Sequence, residues 1–172
     1  KNLRLFYVEQ PILVIVKFII VAIGKQDEAY IKEGVDMFTG RLQHYFPTEW
    51  KIIPPLKNAA SLDVQSLIKE EGKKISKELL PGDYIILLDE RGKQMNSIEL
   101  SGLVQKLSGE AHKRIVFIIG GAFGVDKEIV EKANLVWSLS KLVFPHMLVR
   151  LIVAEQLYRA CTILKNEKYH HV

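Results

Sequence analysis

The fold is decided by residues 114–161, which read RIVFIIGGAFGVDKEIVEKANLVWSLSKLVFPHMLVRLIVAEQLYRAC. An apolar run at 115–119 breaks on a glycine-rich segment at 120–124, and a short charged segment with helical spacing begins at Asp126. A second apolar run, 135–139, leads through a loop into a long amphipathic segment. Glycine lets a backbone approach a ligand closely, and ligands bind beyond the carboxyl ends of parallel strands. The stretch therefore predicts a binding pocket in an α/β fold.

The preceding chain predicts further strands of the same sheet. Apolar runs at 17–24, 50–53 and 84–88 are typical of strands that are buried on both faces. Amphipathic helices separate them, and we expect Ser61 and Ser97 to cap the second and third helices. Alternating strands and helices predict a parallel sheet flanked by helices, with right-handed crossovers.

The first fifteen residues do not continue this pattern. We interpret residues 1–15 as an N-terminal extension outside the fold and residues 16–172 as a single domain. The apolar stretch 12–22 is interrupted by Lys17 and falls short of the roughly 20 residues that a transmembrane helix needs. A signal peptide is the alternative interpretation, although 17–24 fits a buried strand better. We therefore expect a cytoplasmic protein without a membrane span.

Charge and cysteine content narrow the class further. The 172-residue chain has a formal net charge of +4, and residues 135–172 carry five Lys/Arg against two acids. We therefore expect the excess positive charge to lie beside the pocket. The single cysteine, Cys161, excludes an internal disulfide and a thiolate-rich metal site, and it fits a reducing compartment.

The pocket does not match the common nucleotide motifs. Its glycines give neither GxGxxG nor the P-loop pattern. Asp126 and Glu128 occupy the start of the following helix, where carboxylates would repel a phosphate. The strand at 135–139 also ends without the acid that holds a ribose hydroxyl in dinucleotide sites. A ligand with a cationic group and no phosphate fits this pattern better.

Several short motifs together carry a family resemblance. The central motif is LSKLVFPH at 139–146, and the others are LDERGK at 88–93, IGG at 119–121, LVR at 148–150, AEQLYRA at 154–160 and the terminal YH at 169–170. With these motifs the chain resembles the RlmH family of ribosomal RNA methyltransferases from about Val16 to the C-terminus.

The resemblance implies a SPOUT-like fold, in which a C-terminal trefoil knot closes the parallel sheet. It implies S-adenosylmethionine as the methyl donor and N3 of a pseudouridine in 23S ribosomal RNA as the target. It also implies a homodimer whose active sites are completed across the interface. We expect the ribosomal RNA to be met in the assembled ribosome, although free RNA is the alternative.

The resemblance also places the cofactor contacts. They fall on two strand ends and on the central motif: Leu88, Gly120, Gly121, Leu139, Ser140, Lys141, Leu142, Val143 and Phe144. Relatives have threonine and leucine where this chain has Val143 and Phe144. Backbone contacts survive that change, but a hydroxyl contact at position 143 is lost.

Methyl transfer from a sulfonium needs no metal and no covalent nucleophile, so no metal site is expected. Holding the two reactants in line supplies much of the rate. What must be handled is the N3 imide proton, which a nearby base or cation would help to remove. The candidate catalytic residues are His146, Arg150, Tyr169 and His170, of which we expect Arg150 and His170 to act on the base and the flanking phosphate.

RNA contacts are expected at Lys141, Arg150, Arg159 and His170. Simpler structural roles remain open for several of these residues. His146 follows a proline at a helix start, where histidine is commonly a hydrogen-bonded structural residue. Arg159 has the i,i+4 spacing to pair with Glu155, and the terminal Tyr169–His170 segment has the position of a frayed tail.

Three other functions compete with this interpretation. One is a methyltransferase of the same fold that acts on another RNA. The second is a non-catalytic ribosome- or RNA-binding module, and the third is a nucleotide-dependent oxidoreductase. The oxidoreductase is disfavoured because the dinucleotide fingerprint and its acid are missing.

Overall fold

The computed structural model describes residues 15–25 and 28–170. Five strands and five α-helices alternate along these residues: β1 (Lys17–Ile23), α1 (Ala29–Leu42), β2 (Thr48–Ile53), α2 (Val64–Ser76), β3 (Tyr84–Gln94), α3 (Ser97–Ser108), β4 (Arg114–Ile119), α4 (Lys127–Lys132), β5 (Leu135–Ser138) and α5 (His146–Leu164). The order of elements agrees with the sequence prediction.

The five strands form one sheet in the order β2-β1-β4-β3-β5, and every pairing is parallel. β4 lies at the centre between β1 and β3, with Phe18 paired to Ile115 and Tyr84 paired to the same residue. The predicted parallel sheet is therefore confirmed. Because β3, β4 and β5 run in the same direction as neighbours, the loops that follow them meet at one edge.

Alternation along the strands divides the core into two layers. In β1, Phe18 and Ile20 pack into the layer beneath α3 and α5, whereas Ile19 and Val21 pack into the layer beneath α2 and α4. Both faces of the sheet are thus covered, which explains the continuous apolar runs. α5 crosses the first layer and contacts both α1 and α3.

The two predicted serine caps are wrong by one or two residues. α2 is capped by Asp63, whose carboxylate accepts from the Ser66 amide at 2.9 Å, while Ser61 lies in a preceding 3-10 turn. α3 is capped by Asn96 in a capping box. A carboxylate or amide oxygen reaches the free amides of a first turn as well as a hydroxyl does, so the spacing could not discriminate between adjacent candidates.

β3 continues beyond the predicted end at Leu88. Its pairing with β5 shifts register between Leu88 and Lys93, and then resumes with Lys93 opposite Trp137. The bulge at 89–92 brings the backbone of Gly92 against β5, where a Cβ would lie 2.6 Å from the Val136 carbonyl carbon. This bulge overhangs the sheet edge at which the pocket was expected.

Residues 1–14 lie outside the described residues, so most of the proposed extension is not seen. Ile15 is 69% exposed and Val16 is buried. The boundary between extension and domain stays a prediction, as does the trefoil knot. Within the described parts of the chain, no helix has the length and apolar character needed to cross a membrane.

Candidate active site

A cleft of about 470 Å³ opens at the carboxyl ends of β3, β4 and β5. Three loops form its walls: the bulge at 89–91 after Leu88, the glycine segment 120–125 after β4, and residues 139–144 after β5. The first residue of α5, His146, lies at the same cleft. The edge predicted from the strand order is therefore where the structure has its open cleft.

The glycine wall is tightly supported from behind. At Gly120 a Cβ would come within 2.6 Å of the Val125 side chain and 3.1 Å of the Gly124 carbonyl oxygen. At Gly121 a Cβ would meet the carboxylate of Glu71 on α2 at 2.5 Å. Burial raises the pKa of the Glu71 carboxyl. Both glycines therefore occupy positions at which a side chain would displace neighbouring groups.

The loop after β5 is held by its own serines. Ser138 donates from its hydroxyl to the carbonyl of Ser140 at 2.9 Å, and the amide of Leu142 donates to the Ser140 hydroxyl at 3.0 Å. Leu139, Ser140, Leu142, Val143 and Phe144 line the cleft, but Lys141 does not. Leu142 and Val143 are 69% and 79% exposed, so half of this wall faces outward.

Acidic groups give the cleft its charge. Asp89 and Glu90 line it together with Arg91. Arg91 donates to Asp89 through Nε at 2.9 Å and Nη2 at 2.8 Å, and this pairing lowers the pKa of the Asp89 carboxyl. Glu90 is exposed. Two carboxylates against one arginine favour a ligand with positive charge over a phosphate.

The helix that follows the glycine segment offers no anion site. Asp126 is the N-cap of α4, and its Oδ1 accepts from the Glu128 amide at 2.8 Å. Glu128 itself lies in the first turn. The positive end of the helix is therefore already satisfied by carboxylates, as the sequence indicated.

The predicted catalytic residues do not converge within one chain. His146 begins α5 at the cleft, whereas Tyr169 and His170 contact residues near the other end of that helix. Tyr169 donates to Glu155 at 3.0 Å. Arg159 Nη1 lies 3.5 Å from His170 Nδ1. Because a helix rises about 1.5 Å per residue, His146 and Arg159 are separated by about 20 Å along the axis.

Arg150 is not in the cleft. Its side chain is completely buried. Nη1 donates to the Lys25 carbonyl at 2.9 Å and Nη2 donates to the Ile23 carbonyl at 3.2 Å. In the described structure the guanidinium is engaged at the end of β1, and the expectation that Arg150 acts on the reacting base stays a prediction.

The cations expected beside the cleft are not among the residues that line it. None of the five Lys/Arg residues between 135 and 170 lines the cleft in the described structure. Lys141 is exposed on the 139–144 loop that forms one wall of the cleft, and Arg159 is paired with Glu155. Burial of Arg150 and pairing of Arg159 engage the two arginines of α5 within the fold, whereas Lys141 lies beside the cleft without lining it.

Comparison with known proteins connects this geometry to a family. The model of the family described as predicted SPOUT methyltransferase matches residues 16–170. The chain belongs to this family. It is 43% identical over 152 residues to Ribosomal RNA large subunit methyltransferase H of Parabacteroides distasonis, covering 88% of this chain and 97% of that protein. It is 46% identical over 149 residues to the protein of the same name from Cytophaga hutchinsonii, covering 87% and 96%.

Solved structures confirm the fold class. A probable methyltransferase from Bordetella pertussis Tohama I superposes with a TM-score of 0.52 at 14% identity, covering 87% of this chain and 95% of that one. At this identity the likeness concerns the fold alone. The predicted family, the SPOUT-like fold and the assignment as an RNA methyltransferase are thus confirmed.

Several cleft residues of this SPOUT methyltransferase were missed in the sequence: Asp89, Glu90, Arg91, Ala122, Phe123, Val125, Trp137 and Val149. Asp89 had a usable signal, since it directly follows a buried strand at the expected sheet edge. Phe123, which is 59% exposed, had no signal in the sequence that marked it as a cleft residue. Among the described residues, no group of three or more His, Cys, Asp or Glu side chains could hold a metal ion.

Proposed function

We propose that this chain transfers a methyl group from S-adenosylmethionine to N3 of a pseudouridine in 23S ribosomal RNA. The observation that carries the proposal is the acidic cleft at the carboxyl ends of β3, β4 and β5, in a chain whose relatives bear the name of a large-subunit ribosomal RNA methyltransferase. We further propose that it acts in the cytoplasm on the assembled ribosome.

The residues of the cleft fit the cofactor. A volume of about 470 Å³ lies in the range of small-molecule sites. Leu88, Leu139 and Phe144 supply apolar walls, and Gly120 leaves backbone open to a ligand. Asp89 and Glu90 complement a cation. S-adenosylmethionine, when bound, supplies an electrophilic methyl group on a positively charged sulfur. The chain's own contribution is to bind it and to exclude water.

The target base needs a group that accepts or compensates the N3 proton. His146 is the candidate within the chain, since it lies at the cleft. Tyr169 and His170 are proposed to reach the cleft of a partner subunit, because their own cleft is about 20 Å away along α5. Arg150 is proposed to act indirectly, by fixing the end of β1.

A homodimer is therefore part of the proposal. Phe123, Leu142 and Val143 expose apolar side chains at the mouth of the cleft, and such patches mark interaction surfaces. Light scattering of the purified protein should give about twice the 19.7 kDa chain mass. A mass near 19.7 kDa would contradict the dimer and leave Tyr169 and His170 without a site to complete.

The decisive experiment uses ribosomes from a strain that lacks this protein. The chain is incubated with S-adenosylmethionine and either assembled ribosomes or protein-free ribosomal RNA, and digested nucleosides are examined by mass spectrometry. We expect a methylated pseudouridine from the ribosome sample. A methyl group on a uridine or guanosine elsewhere would refute the proposed substrate while leaving the enzyme class intact.

Calorimetry separates the enzyme from a non-catalytic RNA-binding module. The enzyme should bind S-adenosylmethionine with measurable heat, whereas a binding module has no need of that pocket. Absence of heat at millimolar ligand would refute the proposal. Affinity for RNA alone discriminates poorly, because a basic protein binds phosphates in a salt-dependent manner whatever its function.

A further inference from the structure

Glu155 and Arg159 lie one turn apart on α5 and contact Tyr169 and His170 in the C-terminal segment that follows the helix. Arg159 donates to Glu155 Oε1 from Nε at 2.9 Å and from Nη2 at 2.5 Å. The hydroxyl of Tyr169 donates to the same oxygen at 3.0 Å. The two charged side chains are only 19% and 26% exposed. One carboxylate oxygen thus joins the helix to the segment that ends the chain.

The guanidinium of Arg159 extends this contact. Its central carbon lies 4.6 Å from the centre of the Tyr169 ring, and Nη1 lies 3.5 Å from His170 Nδ1. A guanidinium N–H can donate to Nδ1 only when the imidazole is neutral with its proton on Nε2. Tyr158 packs its ring edge against Tyr169 at 4.8 Å. The segment is therefore oriented as well as tethered.

The chain after α5 is built to turn back onto the helix. Asn166 adopts a positive φ of 54°, which asparagine tolerates better than most residues. The Glu167 amide then donates to the Thr162 carbonyl at 2.9 Å, and the Glu167 carboxylate accepts from Tyr45 at 2.5 Å. These contacts lead Tyr169 and His170 along α5 instead of away from it.

We propose that Glu155 and Arg159 are positioning residues that hold Tyr169 and His170 for the reaction. The inference rests on the proposed function, and it gives Arg159 a role other than the RNA contact expected from the sequence. The Arg159 guanidinium donates through Nε and Nη2 to Glu155 and lies over the Tyr169 ring. Because the carboxylate offsets its positive charge and occupies these donors, it would attract a phosphate only weakly. The geometry of the fork matters for this role, whereas a phosphate contact needs mainly the charge.

The first test measures the segment directly. Trypsin cleavage after the exposed Lys168 releases the last four residues, which mass spectrometry detects. We expect Glu155→Gln and Arg159→Lys to speed this cleavage roughly fivefold or more, because the segment detaches more often. Glu33→Gln, which changes an exposed carboxylate on α1 and neither adds nor removes a trypsin site, is the control and should cleave at the wild-type rate. A wild-type cleavage rate in both Glu155→Gln and Arg159→Lys would overturn the proposal.

The second test measures methyl transfer in a single turnover on ribosomes. We expect Arg159→Lys and Glu155→Gln to slow the reaction on the order of tenfold to a hundredfold, since small misplacements of a reacting group have that effect. Affinity for S-adenosylmethionine should stay as in the wild type. Arg159→Ala should keep the wild-type dependence of RNA binding on salt concentration.

The outcomes separate the two roles of Arg159. A wild-type rate for Arg159→Lys, with a salt dependence for Arg159→Ala that is weaker by about one phosphate, would overturn the positioning role in favour of a phosphate contact. If the wild-type protein methylates no ribosomal RNA, the proposed function fails. The cleavage comparison still decides whether Glu155 and Arg159 hold the segment.

Discussion

Arg150, in the second turn of α5, donates from Nη2 to the carbonyl oxygen of Ile23 at the end of β1, at a distance of 3.2 Å. The contact joins residues 127 positions apart in the sequence. It ties the helix that begins at the cleft to a central strand of the sheet. Arg150, which the sequence predicts to be catalytic, is thus a buried link between α5 and β1 in the described structure.

Arg150→Ala should lower the free energy of unfolding by about 3 kcal/mol, because it removes the donors to the buried Ile23 carbonyl and the part-buried Lys25 carbonyl and opens a cavity. Arg150→Lys should be intermediate, since lysine keeps the charge but loses the fork. Urea unfolding measures both. If Arg150→Ala unfolded like the wild type while methyl transfer slowed, the original interpretation of Arg150 as a group acting on the base would be favoured instead.

Gly92→Ala should destabilise the protein by about 2 kcal/mol. Its Cβ would lie 2.6 Å from the Val136 carbonyl and 2.8 Å from the Trp137 amide, and backbone atoms of β5 cannot move aside without separating β5 from β3. The matched control is Gly102→Ala in α3, where nothing lies within 4 Å. The free energy of unfolding of Gly102→Ala should rise by about 0.5–1 kcal/mol, because alanine favours the helix more than glycine does. Equal effects of the two substitutions in thermal or urea unfolding would contradict the close packing of the bulge.

Glu71→Gln should change the pH dependence of stability. Burial raises the pKa of the Glu71 carboxyl above its ordinary value of 4.5, and Lys74 only partly opposes this. The folded state therefore holds that proton more tightly than the unfolded state, and the associated stability is lost as pH rises through the folded pKa. We expect the variant and the wild type to match near pH 4, and the variant to be more stable by about 1 kcal/mol at neutral pH.

The control for Glu71 is its neighbour Glu70. Lys73 lowers the pKa of the exposed Glu70 carboxyl, so ionisation of Glu70 favours the folded state, whereas ionisation of Glu71 disfavours it. Glu70→Gln should not increase the stability of the protein at neutral pH. Urea unfolding between about pH 4 and pH 8 measures both variants. A wild type that becomes more stable than Glu71→Gln as pH rises would show that the carboxylate has a favourable partner.

Glu90→Gln should weaken binding of S-adenosylmethionine more than binding of S-adenosylhomocysteine. The two ligands share every charged group except the sulfonium, so the ratio of their dissociation constants isolates the effect of the positive sulfur. Because Glu90 is exposed at the cleft, the change should be about twofold to fivefold. Glu128→Gln, which lies outside the cleft lining, should leave the ratio unchanged. Equal loss for both ligands would place the sulfonium away from Glu90.

Much of the architecture could be predicted from local patterns. The buried strands at 17–23 and 115–119 were visible as continuous apolar runs, and the glycine break after Ile119 marked the wall of the cleft. Helix starts were less certain, as Asp63 and Asn96 showed by capping in place of nearby serines. Strand and helix formation depend on neighbours within a few residues, so the chain order alone carries most of the information.

The sequence by itself determined the family, the parallel sheet and the edge at which Leu88, Gly120 and Leu139 meet. Only the tertiary structure decided which charges face that edge. Arg150 turns inward to the end of β1, Arg159 pairs with Glu155, and the bulge within β3 brings two carboxylates to the cleft. The reason is physical: the direction of a long side chain depends on partners far away in the chain, and no periodicity or spacing records those partners.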